Sequence, residues 1–394
     1  MKYYIPQIDY SDCGFACLKM MVASLYQDQN ALFIKQDESH GPYSLLDLKK
    51  LAETYGIILD GVEVDDKLLI KEIRLPFIAL LQKKNEVCHY VLVHKIKHGY
   101  VNYLDPEIGE CSLSIKNFSH LWTGTALIIS EFNKREIEFK NYEVDDKKKD
   151  FFTPLLQVFS SILLAVGIFF IDDKSTIYLP LVFLSSSVIS EIILRIFLIK
   201  KMEKMDIQLI NQAVVKKGKY HEFYLRYEEY KKSHVSHKLT LVFSLLSILF
   251  ITTIVLLNNI YNAFIVLIPL FIAIMDVKFI SPMINEKEEL IALEERELGH
   301  IKNIDLLKKQ IDKIHLRGYK VAKTMLLKKY IYLALLLLTS LLTTVFNETF
   351  SLPYVIFYFA ISYTLLEQDI AFMSYPMKRI MDLRNKSRLI NLME

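Results

Sequence analysis

Apolar and polar positions divide the chain into two stretches with different periods. Over the first 130 residues, apolar positions recur at helical spacing across 14–26 and 45–55. They then form short runs at 77–82, 89–96, 99–104 and 126–129, each bounded by turn residues. Helices first and strands later predict a soluble α+β unit. From about residue 151 the pattern changes to long apolar runs separated by charged stretches. Six runs approach the about 20 residues that a helix needs to cross a bilayer: 152–171, 177–199, 240–257, 261–275, 330–346 and 352–373. Only Asn258, Asn259 and Ile260 separate the third from the fourth and shortest, which predicts a tight helical hairpin. The expected organisation is an α+β domain over 1–130, a charged linker over 131–150, an all-α six-span membrane domain over 151–377 and a short basic tail over 378–394.

The charges orient this arrangement. Lys and Arg are retained on the cytoplasmic side of a membrane. The connections after the first, third and fifth runs carry a single Lys, Lys174, whereas 200–238, 278–329 and 378–388 are basic. Both termini and both long loops are therefore expected inside, in a multi-pass membrane protein. The linker's Lys134, Arg135 and Lys147 to Lys149 would favour the anionic lipids of the inner leaflet. A composition of 52% hydrophobic residues and a mean hydropathy of +0.25 agree with a membrane part. The 48 Lys+Arg against 45 Asp+Glu leave a net charge of +3, too balanced for phosphate neutralisation, which excludes a nucleic-acid partner. No charged-then-apolar leader opens the chain, so no cleavable export signal is expected. The four cysteines, Cys13, Cys17, Cys88 and Cys111, then belong to a reducing compartment and read as catalytic, metal-binding or buried rather than disulfide-bonded.

Chemistry concentrates in three blocks of the first domain. Gln7 precedes Asp12-Cys13-Gly14-Phe15-Ala16-Cys17-Leu18 at the head of the first predicted helix. Cys88-His89-Tyr90-Val91 opens a predicted strand, and Leu104-Asp105-Pro106 closes the next. A helix N-terminus and a nearby imidazolium favour thiolate over thiol, the form that attacks a carbonyl. His89 would pair with Cys13 and give its proton to the departing amine. Asp105, one hairpin further on, would reach the other ring nitrogen. The Gln7 amide and the backbone N–H of Cys13 would form an oxyanion hole. A zinc site of Cys13, Cys17, Cys88 and His89 competes, but Cys88 and His89 are adjacent and would point to opposite faces of a strand. Cys17 reads as a core residue, Asp12 as a helix N-cap, and His94 and His98 as surface residues.

These blocks, in this order, closely resemble the bacteriocin-processing cysteine peptidases of family C39. That family's pattern has a glutamine six residues before the cysteine, Asp-Cys-Gly-x-Ala-Cys-Leu, then His-Tyr-Val and Asp-Pro. The resemblance implies a papain-like α+β domain with Cys13, His89 and Asp105 as catalytic residues and Gln7 in the oxyanion hole. It also implies a precursor peptide with a double-glycine leader as substrate, and no metal or cofactor in this chain.

Six spans with short outer turns and long, helical inner loops resemble the transmembrane domain of an ATP-binding-cassette exporter. By that resemblance the loop elbows at 215–224 and 298–307, with Lys217, Gly218, Leu298 and Gly299, would rest on an ATPase. No Gly-x-x-x-x-Gly-Lys-Ser/Thr segment occurs in the sequence. ATP and Mg²⁺ are therefore expected on a separately encoded ATPase subunit, and six spans imply a homodimer. Two other classes compete: a membrane-anchored leader peptidase without transport, and a transporter subunit that only binds leaders. The intact Cys13, His89 and Asp105 argue against the second. Ionisable residues at span positions, Glu191, Arg195, Asp276, Glu367 and Asp369, are further candidates for function.

Overall fold

The computed structural model of the chain describes residues 3–8, 11–35, 42–82, 88–140, 220–238, 241–258, 262–284, 304–348 and 352–393, with scattered positions between 159 and 215 and at 287 and 291. Two compact units form. One comprises Met1–Asp146, Glu203–Val235 and Met377–Glu394, and the other Lys147–Met202 and Ser236–Pro376.

The first unit opens with helix α1 (Cys13–Tyr26) and helix α2 (Leu45–Thr54). Ser44 starts α2 with a reciprocal cap: its Oγ accepts from the Asp47 N–H, and the Asp47 carboxylate accepts from the Ser44 N–H. Strands β1 (Ile57–Glu63), β2 (Phe77–Gln82), β3 (Cys88–Lys97), β4 (Tyr100–Asp105) and β5 (Gly109–Ser114) follow, then helix α3 (Ile115–Leu121) and strand β6 (Trp122–Phe132). They form one antiparallel sheet in the order β1-β6-β2-β3-β4-β5. One core joins α1 and α2 to the sheet through Cys17, Met21, Leu48, Ile78, Leu92 and Leu127. A second core, with Phe77, Val91, Val101 and Trp122, holds α3 by Phe118 and the short turn Lys67–Glu72 by Ile70. Alternate side chains of the strands thus serve two cores, which is why these strands read as apolar runs rather than clean alternation.

After β6 the chain stays on this domain through residue 140. The Asn133 N–H donates to Gly56 O at 2.8 Å, the Arg135 N–H donates to the Tyr26 hydroxyl at 3.2 Å, and Phe139 packs edge-on to Tyr26. The rest of the expected linker, 141–150, lies outside the described residues.

The described remainder is helical: α4 (Tyr220–Lys238), α5 (Leu241–Asn258), α6 (Ala263–Met275), α7 (Ile304–Phe346), α8 (Leu352–Met373) and α9 (Tyr375–Asn391). In the second unit α8 packs against α5, α6 and α7. Ile251, Val255, Ile265, Phe357, Tyr358 and Ile361 are buried between them, while Leu257, Leu267, Phe271 and Leu338 stand exposed. The hydroxyls Ser244, Ser340, Thr343 and Ser362 lie inside. Apolar side chains outside and small polar ones between helices are the arrangement of a bundle built for lipid.

Among the described residues, three helices are long and apolar enough to cross a membrane: Ala263–Ile284, Lys308–Phe346 and Leu352–Met373; α5 is apolar over the shorter stretch Ser244–Leu257. The short apolar run at 261–275 reaches spanning length because the helix continues through a π-turn at Asp276–Ile280. Asp276 is buried there yet satisfied: it is ion-paired with Lys328, and accepts from the Tyr332 hydroxyl at 3.0 Å and the Ser281 hydroxyl at 3.2 Å. The fifth run lies within α7, whose 43 residues also take up part of the preceding basic loop. The first two expected spans lie largely outside the described residues, as do Glu191, Arg195, Lys217, Gly218, Leu298 and Gly299.

Candidate active site

Cys13 is the first residue of α1 and is buried, as are Gln7, His89 and Asp105. Antiparallel pairing sets Leu104 opposite Leu92, so the C-terminal end of β4, with Asp105, returns beside the N-terminal end of β3, with His89. His89 Nε2 and Asp105 Oδ1 are 2.7 Å apart. The same Asp105 oxygen accepts the Glu107 N–H at 2.8 Å, within a turn that closes at Gly109 with φ +107°. The turn therefore fixes the carboxylate, and the carboxylate fixes the ring.

Helix α1 reaches this strand end through a glycine. A β-carbon at Gly14 would come within 3.0 Å of both the Tyr90 ring and a Leu48 methyl. Cys13 and His89 each neighbour a residue of that close contact, so the places of α1 and β3 set their approach. Tyr90 reflects the same crowding: burial, and then the neighbouring Cys13, push its hydroxyl up to about 12.

Gln7 is held from the backbone, its N–H donating to Pro106 O at 2.9 Å; the Tyr4 hydroxyl reaches the same oxygen at 3.4 Å. The segment before the cysteine is thus tied to the residue after Asp105. The Gln7 side-chain Oε1 is buried with no hydrogen-bond partner. Asp12 stands at the N-cap position but does not cap, contrary to the expectation from sequence. Its carboxylate accepts the Ile8 N–H at 3.0 Å and leaves the first-turn N–H groups of α1 alone. The side chain closes the turn before the helix instead.

The remaining candidates separate cleanly. Cys17 is wholly buried, and burial first, then Cys13, raises its thiol well above the usual range. Cys88 is exposed beside buried His89, so the two do not face one ligand together. Among the described residues the ligand atoms of His89, Asp105 and Glu107 lie within 4.8 Å of one another. His89 and Asp105 are already joined directly and Glu107 is exposed, which is an oriented imidazole beside a surface carboxylate rather than a metal cage. His98 is exposed and has φ +52° in the β3–β4 turn; His94 is half-buried, 3.8 Å from Glu110, with burial lowering its pKa.

Sequence reasoning did not find the brace around Gln7. The Pro106 carbonyl and Tyr4 are visible only once the fold closes, although Pro106 directly follows the aspartate of the third block.

Known proteins and solved structures are similar to part of the chain. The lactococcin-G-processing and transport ATP-binding protein LagD of Lactococcus lactis is 31% identical over 173 residues, 43% of this chain and 24% of that protein. The pediocin PA-1 transport/processing ATP-binding protein PedD of Pediococcus acidilactici is 29% identical over 134 residues, 33% of this chain and 18% of that protein. The chain thus matches about a quarter or less of these relatives' length. Among solved structures, a double glycine motif protease from an AMS/PCAT transporter, crystallised with a leader peptide, is 25% identical and aligns with 32% of this chain and 89% of its own, at a TM-score of 0.28. The family model of the Peptidase C39 family matches residues 1–134. Those residues, with an antiparallel sheet behind an N-terminal helix and a cysteine, a histidine and an aspartate at their junction, are a cysteine peptidase domain of the C39 family.

Proposed function

We propose that the protein cleaves the double-glycine leader from a bacteriocin or pheromone precursor and exports the released peptide. The observation that carries this reading is the buried His89–Asp105 pair, together with a buried Cys13 at the start of α1. The relatives are described as processing and transport proteins, which supports the pairing of peptidase and membrane parts.

In this reading the Cys13 thiolate attacks the carbonyl carbon of the second glycine. Asp105 holds Nε2, so Nδ1 is the nitrogen through which His89 exchanges a proton with the thiol and then with the leaving amine. The Gln7 amide and the Cys13 N–H receive the charge that develops on the carbonyl oxygen. Water then releases the leader from the thioester. The carboxylate keeps the ring in one orientation and stabilises its charged form without taking the proton.

The membrane helices would form the path of the mature peptide in a homodimer of six-span subunits, with the termini and long loops in the cytoplasm. Export would draw on ATP and Mg²⁺ bound by a separate ATPase subunit.

The test is cleavage of a synthetic precursor with a double-glycine leader by purified full-length protein, without ATP, beside Cys13→Ala. Wild type should release the leader, and the variant should lose activity by at least about a thousandfold. Equal cleavage by both proteins would remove Cys13 from the chemistry.

A further inference from the structure

The basic tail contains a helix with two working faces. Within the first unit, Ile380 of α9 is buried in the α1/α2 core and Leu383 packs against it. Lys386 lies over the Phe33 ring at 4.5 Å, and the Lys35 ammonium donates to Met393 O. Arg388 donates from Nη2 to Ile8 O at 2.8 Å, across 380 residues of sequence. On the other side of the helix, Leu389 is buried against Tyr227 and Tyr230 of α4. Asn385 donates to Glu229 O at 3.3 Å and to the Ser233 hydroxyl at 3.2 Å, and that hydroxyl donates to Asp382 at 3.4 Å. At 100° per residue, positions 382, 385 and 389 fall within about 60° of one another, 380 lies opposite them, and 383 and 388 flank 380 on either side.

Ile8 is the residue after Gln7. Its N–H is held by Asp12, the Gln7 N–H is held by Pro106, and its own carbonyl is held by Arg388. The peptide that carries the Gln7 side chain is thus fixed from both sides of the chain, and one fixing group comes from the C-terminal helix. The arginine is itself held in place, because α4 clamps the far face of α9.

We propose that Arg388 is a positioning residue for leader cleavage, holding the Ile8 carbonyl so that the Gln7 amide is aimed at the oxyanion. This rests on the reading of Cys13 and Gln7 given above. A donor that acts only on the oxyanion stabilises the transition state more than bound substrate, so its misplacement lowers kcat and spares KM.

The experiment compares full-length wild type, Arg388→Ala and Arg388→Lys on a double-glycine precursor, and measures Cys13 alkylation by iodoacetamide in the same preparations. Alkylation forms no oxyanion, so it reports an intact site that does not depend on Gln7. Arg388→Ala should lower kcat roughly tenfold, the size of one charge-assisted hydrogen bond, with KM and alkylation rate within twofold of wild type. Arg388→Lys, which keeps a cationic donor on a helix-compatible stem, should recover part of that loss. An unchanged kcat in Arg388→Ala overturns the proposal, and so does a fall in kcat matched by a fall in alkylation in both variants, which marks general loosening. Wild type that cleaves no precursor overturns the peptidase reading and this one with it. Active wild type matched by Arg388→Ala overturns this one alone.

Discussion

Lys19 is the residue least at home where it lies. It sits on α1 two turns below Cys13, 3% exposed, its ammonium 4.6 Å from the centre of the Phe15 ring. Burial lowers its pKa from 10.5 to about 8, and Asp12 offsets only part of that. The folded value is below the unfolded one, so between about pH 8 and 10.5 the unfolded chain holds the extra proton, and stability rises with pH across that window. Below it, the buried charge costs on the order of 3 kcal/mol. Lys19→Met should therefore be more stable than wild type at pH 7, with the difference shrinking towards zero by about pH 10. Trp122 is the chain's single tryptophan and is buried in the peptidase domain, so its fluorescence during urea unfolding of the full-length protein reads this domain alone. A difference that stays constant with pH would show that the lysine is not buried as a charge.

At the scale of elements, the junction of α1 with β3 makes the site, and Gly14 is its tightest point. Alanine there would gain up to about 1 kcal/mol in helix propensity. It would also press on Tyr90 and on Leu48, which is wholly buried and has little room to move. Overpacking of that kind costs about 1–3 kcal/mol and wins over propensity. Gly14→Ala should lower the urea midpoint of the Trp122 transition, and an unchanged midpoint would mean that α1 lifts without cost. The elements that frame this junction were legible in the sequence because their apolar runs are continuous. β2 falls on Phe77–Gln82 as expected, and α1, β3 and β4 begin within one residue of expectation. β1 was not legible because Asp60-Gly61 interrupts its apolar run, nor was β5, an edge strand whose Glu110, Ser112 and Ser114 face outward or partly so. The same holds for the site. Cys13, His89, Asp105 and Gln7 sit in local blocks, whereas the Arg388 contact joins positions 380 residues apart, and no local pattern in a Lys- and Arg-rich tail announces it.

For the whole molecule, the decisive property is which side of the membrane the peptidase occupies. Leader removal at the point of export requires the domain on the side where precursors are made. The loop charges argue for it: 200–238 and 278–329 are rich in Lys and Arg, while the short connections at 258–260 and 347–349 have none. The cysteines provide the readout without a tag. Cys88 is exposed, Cys13 and Cys17 are buried, and Cys111 is partly covered. A membrane-impermeant maleimide should therefore label the protein rapidly in inverted vesicles and hardly at all in spheroplasts, and Cys88→Ser should remove most of the signal. Glu348 is exposed in the turn between α7 and α8. Glu348→Cys in the Cys88→Ser background should show the opposite preference, reacting from outside. The apolar runs 152–171, 177–199, 240–257, 261–275 and 330–346 separate the two positions in sequence, an odd number, so if each of them crosses the membrane the two positions react from opposite faces. Labelling of Cys88 in spheroplasts would place the peptidase outside, where a precursor could be cut only after it had already crossed, and would invert the order of cleavage and export.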